Sequence, residues 1–289
     1  MKNTHEPSHR LSPLQTKILA IYKEVKKIID RHGLRCFAVG GTCIGAVRHK
    51  GFIPWDDDLD MMLPDRDYEL FIQYARTELP AHLQLRMMNE HHHMSSLGLK
   101  VYDTATTFIE EQELRYPDEY KGVFIDIFRL GGAPGDGRER AEFCRKLLLY
   151  KRLDEKRRLC LRDMHSSRAK LSWIAALPLR LLPYRFWVTR VEKLTGRYPY
   201  DSHALSALIP KLIMRRDEVF GDGCELPFED TTIRCAKDTH QYLSIIFGDY
   251  MQLPPESERQ GHHALSAFVD LEKPYAYYQQ HGLPKKVTV

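Results

Sequence analysis

The stretch Val39–Met62 constrains this chain more than any other. It sets two glycines behind an apolar run and then crowds Asp56, Asp57, Asp58 and Asp60 into five positions. Phe37, Ala38 and Val39 read as the end of a core strand, Gly40 and Gly41 as a turn, and Ile44 to Val47 as a segment able to open a helix. Glycine lets backbone N–H groups come close to a ligand, and a helix N-terminus favours an anion, so this order is able to cradle a phosphate. A Gly-Gly pair by itself is most often just a turn.

The aspartates sharpen the reading. On a strand, Asp56, Asp58 and Asp60 project from one face and Asp57 from the other. Like charges on one face repel unless a cation neutralises them, and oxygen-only ligands suit Mg²⁺ or Mn²⁺ rather than zinc. The plainer alternative is a solvated acidic loop after Pro54. Against it, the run passes directly into Met61, Met62 and Leu63. One more carboxylate, Asp126, stands in the middle of Val123–Phe128, a strand candidate rich in β-branched and aromatic residues. A buried ionised aspartate is costly unless it is paired or ligates a metal, the alternative here being a satisfied core or edge residue.

At these residues the chain resembles a known family. Gly-Gly-Thr-x-x-Gly-Ala-Val-Arg-His-Lys-Gly-Phe-Ile-Pro-Trp-Asp-Asp-Asp-x-Asp, residues 40–60, looks like the signature of the LicD family, which includes bacterial phosphocholine transferases and is related to the fukutin-type transferases. Similar further blocks are Lys100 with Asp103 and Thr106-Thr107, then Phe124–Phe128, Leu226–Glu229, and Phe247–Pro255 with His262-His263. The likeness covers both ends of the chain and hardly touches Gly137 to Glu218.

The resemblance implies a nucleotidyltransferase-like core that moves an alcohol phosphate from a CDP-alcohol donor to a sugar hydroxyl, releasing CMP. The acceptor would be a cell-surface glycan, such as lipopolysaccharide or teichoic acid, or its glycolipid precursor. By the superfamily pattern, the catalytic metal carboxylates fall on Asp58, Asp60 and Asp126, with Asp56 outside the first coordination sphere and Mg²⁺ or Mn²⁺ as cofactor. For substrate, Gly40, Gly41 and Thr42 are the turn residues, and Arg48 and Lys100 are candidate phosphate contacts, each equally readable as a surface charge. Trp55 adjoins the acids and, with Tyr102 and Phe108, offers aromatic faces. Such faces suit a quaternary ammonium, which cannot donate a conventional hydrogen bond. Phosphocholine is therefore favoured over ribitol phosphate or another polyol phosphate. Two rivals are kept: nucleotide transfer to RNA or a small molecule, and a non-catalytic cation-binding scaffold.

The remainder of the chain frames this centre. Residues 12–32 predict a helix with Ser12 and Gln15 as a capping box, Pro13 at its first position and Gly33 after its end. Asp65 to Leu79 predicts a second helix. Leu83 to Met87, Ser96 to Tyr102 and Thr106 to Glu110 are strand candidates, and Lys237 to Phe247 is a late helix. His91-His92-His93 cannot all face one ion from a regular element, which argues against a metal there. Six cysteines without a C-x-x-C pair fit reduced, mostly buried thiols and a cytoplasmic enzyme.

Gly131 to Gly137 marks a boundary. Beyond it, residues 138–170 hold twelve Lys or Arg against five acids, a local +7 in a chain of net charge +4. Phe143, Leu147 and Tyr150 put this charge on an amphipathic helix, and Leu171 to Leu194 predicts a second, aromatic-rich one. The plain reading is a helical subdomain with a solvated basic face; the sharper one is peripheral contact with an anionic membrane surface at the inner face, where the acceptor would be met. No run reaches the roughly 20 apolar residues of a membrane span. Exposed aromatics interleaved with the basic residues are missing, so no nucleic acid is expected as partner. The fold class that follows is α+β: a nucleotidyltransferase-like core, a mixed sheet flanked by helices, over 1–135, a helical section over 136–220, and a segment closing the site over 221–289.

Overall fold

The structure, a computed structural model, describes residues 10–87, 98–115, 117, 120–158, 166–182, 184–202, 205–207, 213–261 and 266–284. His91-His92-His93, His262-His263 and Cys160 lie outside these. In chain order the helices are α1 (Pro13–Arg31), α2 (Gly40–His49), α3 (Asp65–Glu78), α4 (Gly137–Arg158), α5 (Ser167–Ala176), α6 (Tyr184–Thr195), α7 (Arg216–Val219), α8 (Thr239–Phe247) and α9 (Tyr275–His281). The strands are β1 (Phe37–Ala38), β2 (Asp60–Pro64), β3 (Leu83–Met87), β4 (Gly98–Asp103), β5 (Thr107–Glu110), β6 (Phe124–Ala133), β7 (Leu205–Ala207), β8 (Met214–Arg215), β9 (Cys224–Phe228), β10 (Thr231–Cys235) and β11 (Ser266–Asp270).

These elements form two compact units, one drawn from Met1–Met87, Gly98–Arg129 and Arg216–Val289, the other containing Leu130–Arg215. The C-terminal stretch thus shares a unit with the N-terminal one. In that first unit a mixed sheet runs in the order β1-β2-β6-β4-β3, flanked by helices. The capping box at Ser12 and Gln15 forms with both bonds at 3.0 Å, and Ile18, Ile21, Val25 and Ile28 of α1 are buried at helical spacing. Helices α1 and α3 pack against each other, α1 also against β4, and α3 against β2 and β3.

The β9–β10 hairpin joins this core from the far end of the sequence. β10 packs on β1 and β9 on α2. Phe228 meets the Phe52 ring at 4.9 Å and the Tyr22 ring at 6.2 Å, both edge-on, while the Tyr22 hydroxyl donates to the Thr232 carbonyl at 2.7 Å. Burying such aromatic groups removes large apolar areas from water, which ties the tail to the sheet without regular pairing. A separate antiparallel pair, β5 with β11, is backed by α9, whose Tyr275 hydroxyl donates to the Pro117 carbonyl at 2.8 Å.

The second unit has its own small core of Ala133, Phe143, Leu147 and Leu194, with Tyr150, Val191 and Tyr198 packed on it. The apolar face expected from Phe143 and Leu147 is therefore real, and the Asp136 carboxylate starts α4 by accepting from the Arg138 and Glu139 amides at 2.9 Å. Three other expectations shift. The 171–194 helix is broken, because Pro178 falls in a short 3-10 turn, Leu177–Leu181, between α5 and α6. The first core strand shrinks to Phe37–Ala38, since α2 begins at once on Gly40. β6 runs on to Ala133 instead of ending at Phe128, because Gly131–Ala133 pair with β7.

Candidate functional site

The acids of the centre come from two separate pieces of chain, the stretch 56–60 and β6. Asp60 opens β2, which pairs with β1 so that Ala38 faces Met61 and Phe37 faces Met62. Asp126 lies in β6, directly opposite Lys100 of the antiparallel β4. The Asp126 amide donates to the Leu59 carbonyl at 3.0 Å, locking β6 to the residue between Asp58 and Asp60. Residues 56–59 are not strand, so a shared strand face does not bring the acids together. An irregular loop does, and it is held by α1: the buried Gln15 side chain donates to the carbonyls of Ile53, at 3.2 Å, and Asp56, at 2.9 Å.

Burial and mutual repulsion define the electrostatics. Burial first, then the charges of Asp58, Asp126 and Asp56, push the Asp60 carboxyl well above the usual carboxylate range, and Lys100 pulls the other way. Asp56 is pushed up to about 8 by burial and by Asp58 and Asp57. Asp56, Asp57 and Asp58 bring one carboxylate oxygen each to within 4.8 Å of one another. The loop thus draws Asp56 and Asp57 into the cluster around Asp58, while Asp60 and Asp126 approach it from the sheet. Lys100 lies in the same neighbourhood: its ammonium is 3.7 Å from the Asp126 carboxylate and 3.2 Å from the centre of the Phe124 ring. With Lys100 and Asp126 only 5% and 8% exposed, that pairing is poorly screened by water.

The glycines are explained by the acids. Gly40 has φ +56° and its amide donates to the Tyr242 hydroxyl at 3.4 Å. A Cβ on Gly41 would sit 2.8 Å from a carboxylate oxygen of Asp56, and one on Gly40 would sit 3.7 Å from Asp60. Bare backbone at the N-terminus of α2 therefore lets two carboxylates approach the positive end of the helix. Thr42 completes the arrangement by accepting the Asp60 amide at its hydroxyl, 2.9 Å away.

The remaining expected residues divide between the C-terminal stretch and the core. Arg48 donates to its neighbour His49 at 2.9 Å and to the Tyr250 carbonyl at 2.8 Å, and burial and the Arg259 charge lower its pKa. Trp55 stands edge-on to His49 at 6.4 Å, and the Arg259 guanidinium lies 5.3 Å from its ring centre. Tyr102 and Phe108 are core residues. Both are buried in an edge-on aromatic cluster with Phe124, at 5.6 and 5.8 Å.

Four contributors were not foreseen: Gln15, Tyr242, Arg259, and Gly261, whose bare backbone approaches the Asp57 carboxylate so closely that a Cβ would collide. Glu229 adds a fifth contact, accepting the Phe52 amide at 2.9 Å beside the acidic loop. Gln15 had a local signal in its capping box, which says nothing of its second pair of bonds, and Glu229 ends the Leu226–Glu229 block already noted in the sequence.

A mixed sheet flanked by helices, with a half-buried acidic cluster beside a glycine-started helix, defines the protein as one of mixed α and β structure. Residues 33–136 match the family described as LicD/FKTN/FKRP, nucleotidyltransferase domain. Over 259 residues the chain is 26% identical to the lipopolysaccharide cholinephosphotransferase LicD of Haemophilus influenzae, spanning 84% of this chain and 91% of that protein. A shorter likeness, 37% over 60 residues, is to an uncharacterized protein of Rickettsia prowazekii, covering 20% of this chain and 22% of that one. The family match thus falls on residues 33–136, and the likeness to the Haemophilus protein extends over most of the chain.

Proposed function

We propose that this protein transfers phosphocholine from CDP-choline to a sugar hydroxyl of a cell-surface glycan or its lipid-linked precursor, on a nucleotidyltransferase-like core. The observation that supports the reading is the acidic loop, whose Asp56, Asp57 and Asp58 bring carboxylate oxygens within 4.8 Å of one another beside Asp60, with Asp126 of β6 tied to the loop by its amide bond to the Leu59 carbonyl. The likeness to a cholinephosphotransferase over most of the chain supports the choice of headgroup.

Crowded carboxylates of this kind are destabilising without a counter-charge, so the donor set fits a hard divalent cation such as Mg²⁺ or Mn²⁺. Asp58, Asp60 and Asp126 would hold it, with Asp56 and Asp57 close behind. Bound there, the cation would supply neutralisation of the donor pyrophosphate. The chain's own residues do the positioning: Gly40, Gly41 and Thr42 keep the acids against α2, Lys100 orients Asp126, and Arg48 and Trp55 line the approach. The acceptor oxygen forms the new P–O bond as the bond to the CMP oxygen breaks, and the hydroxyl proton is released.

A polyol phosphate is the second reading. Tyr102 and Phe108 are core residues, and Arg259 stands over Trp55, which leaves fewer aromatic faces for a quaternary ammonium. Incubation with Mg²⁺ and a panel of CDP-alcohols, followed by CMP release and mass spectrometry of the product, decides between the two. CMP from CDP-choline supports the first reading; CMP from CDP-ribitol alone supports the second; no CMP from any donor sinks both.

A further inference from the structure

Within the second unit, α5 and the 3-10 turn after it turn Ala176 into the protein and leave Leu171, Ile174 and Leu181 exposed at 67%, 55% and 85%, with Leu177 and Leu182 also exposed. Single exposed leucines are ordinary on soluble proteins, but several close together on one short stretch mark a contact surface. Along this stretch of chain the charge has one sign. Between Asp163 and Glu192 the sequence has no Asp or Glu, while Arg168, Lys170, Arg180, Arg185 and Arg190 all fall there. Arg168, Lys170 and Arg190 are exposed.

We propose that this apolar stripe with its basic border docks on the surface of an anionic lipid bilayer. Leucines sink into the headgroup boundary while lysine and arginine pair with lipid charge, the combination that holds an amphipathic segment in the membrane plane. No helix among the described residues is long and apolar enough to cross a membrane, so the contact is in-plane. Charge disfavours a second copy of the chain: a two-fold contact would bring the exposed Arg168, Lys170 and Arg190 of both copies together, and like charges would repel. The inference is independent of the transferase reading, since it uses no residue of the acidic centre.

The test is flotation of the full-length protein with phosphatidylcholine vesicles, with and without about 30% phosphatidylglycerol, at about 50 mM and about 500 mM salt. Co-flotation with the anionic vesicles at low salt is expected, weakened on the order of tenfold or more at high salt. Leu171→Ser with Leu181→Ser should weaken it by about tenfold or more without moving the thermal midpoint, because both side chains are already exposed. Arg168→Gln with Lys170→Gln should do the same. Absence of flotation at low salt overturns the proposal, as does binding unchanged by the leucine variants. Sedimentation showing a dimer that the leucine variants dissociate would also overturn it, assigning the stripe to a second copy.

Discussion

The side-chain amide of Gln15 donates to the backbone carbonyl of Asp56 at 2.9 Å, across a sequence separation of 41 residues. Its oxygen meanwhile accepts the Ser12 amide at 3.0 Å, so one side chain both caps α1 and pins the acidic loop. Helix initiation and the geometry of the site are thereby coupled.

Gln15→Ala should remove the cap and leave buried carbonyls without their donor, costing about 2–4 kcal/mol. Turnover should fall further than stability at assay temperature explains, because the Asp56 backbone is released. Denaturant unfolding beside steady-state kinetics checks this, and unchanged turnover in the folded fraction would remove Gln15 from the positioning role.

Asp126→Asn should abolish CMP release while the protein stays folded. Asp60→Asn should also be inactive, yet the ion-free variant should melt higher than the parent, because an unfavourable buried charge is gone. In a chain of this size each kcal/mol corresponds to roughly 2–4 °C. A variant that turns over like the parent contradicts the assignment of that carboxylate.

Stability of the ion-free protein should fall as pH rises. The folded-state pKa of Asp56 is about 8 against an ordinary 3.8, and that of Asp60 is also raised. The folded state therefore holds protons that the unfolded chain gives up, and its relative stability declines between those values. Mg²⁺ should raise the melting temperature more at about pH 8.5 than at about pH 6, since the ion competes with those protons. Equal shifts at both pH values would argue against a cation on these acids.

Gly41→Ala should cost about 1–3 kcal/mol and most of the activity, because its Cβ would press on the Asp56 carboxylate. Gly33→Ala is the comparison. Its φ of +62° imposes strain of about 1–2 kcal/mol, but nothing lies within 4 Å of the added Cβ, so activity should survive. Equal activity losses would show that the site does not depend on close approach at Gly41.

Trp55→Ala should raise the Michaelis constant for CDP-choline more than it lowers turnover, by roughly two- to thirtyfold for a cation–π contact of about 0.5–2 kcal/mol. Arg259→Gln, by uncovering the same ring, should lower it. A Michaelis constant that Trp55→Ala leaves unmoved or lowers would mean that Trp55 serves the fold and not the headgroup.

Much of the local structure was legible in the residues. Ser12, Pro13 and Gln15 announced the start of α1, Gly33 its end, and the β-branched run around Asp126 a strand, because each signal acts through neighbours a few positions away. The list of acids was legible too, since a row of aspartates running into apolar residues is unusual chemistry wherever it folds.

What brings those acids together lay beyond any local signal. Strand alternation predicted one face for Asp56, Asp58 and Asp60, whereas the chain leaves strand geometry there because Gln15 takes the loop carbonyls and Thr42 takes the Asp60 amide. Lys100 faces Asp126 only through the register of β4 on β6, and Arg259 reaches Trp55 only through the packing of the tail. The sequence by itself determined which side chains carry the charge and which helices and strands hold them. Tertiary structure alone decided their partners, because a contact between distant residues is set by register and by the burial of Phe52, Phe228 and Tyr22, and no short stretch of chain encodes either.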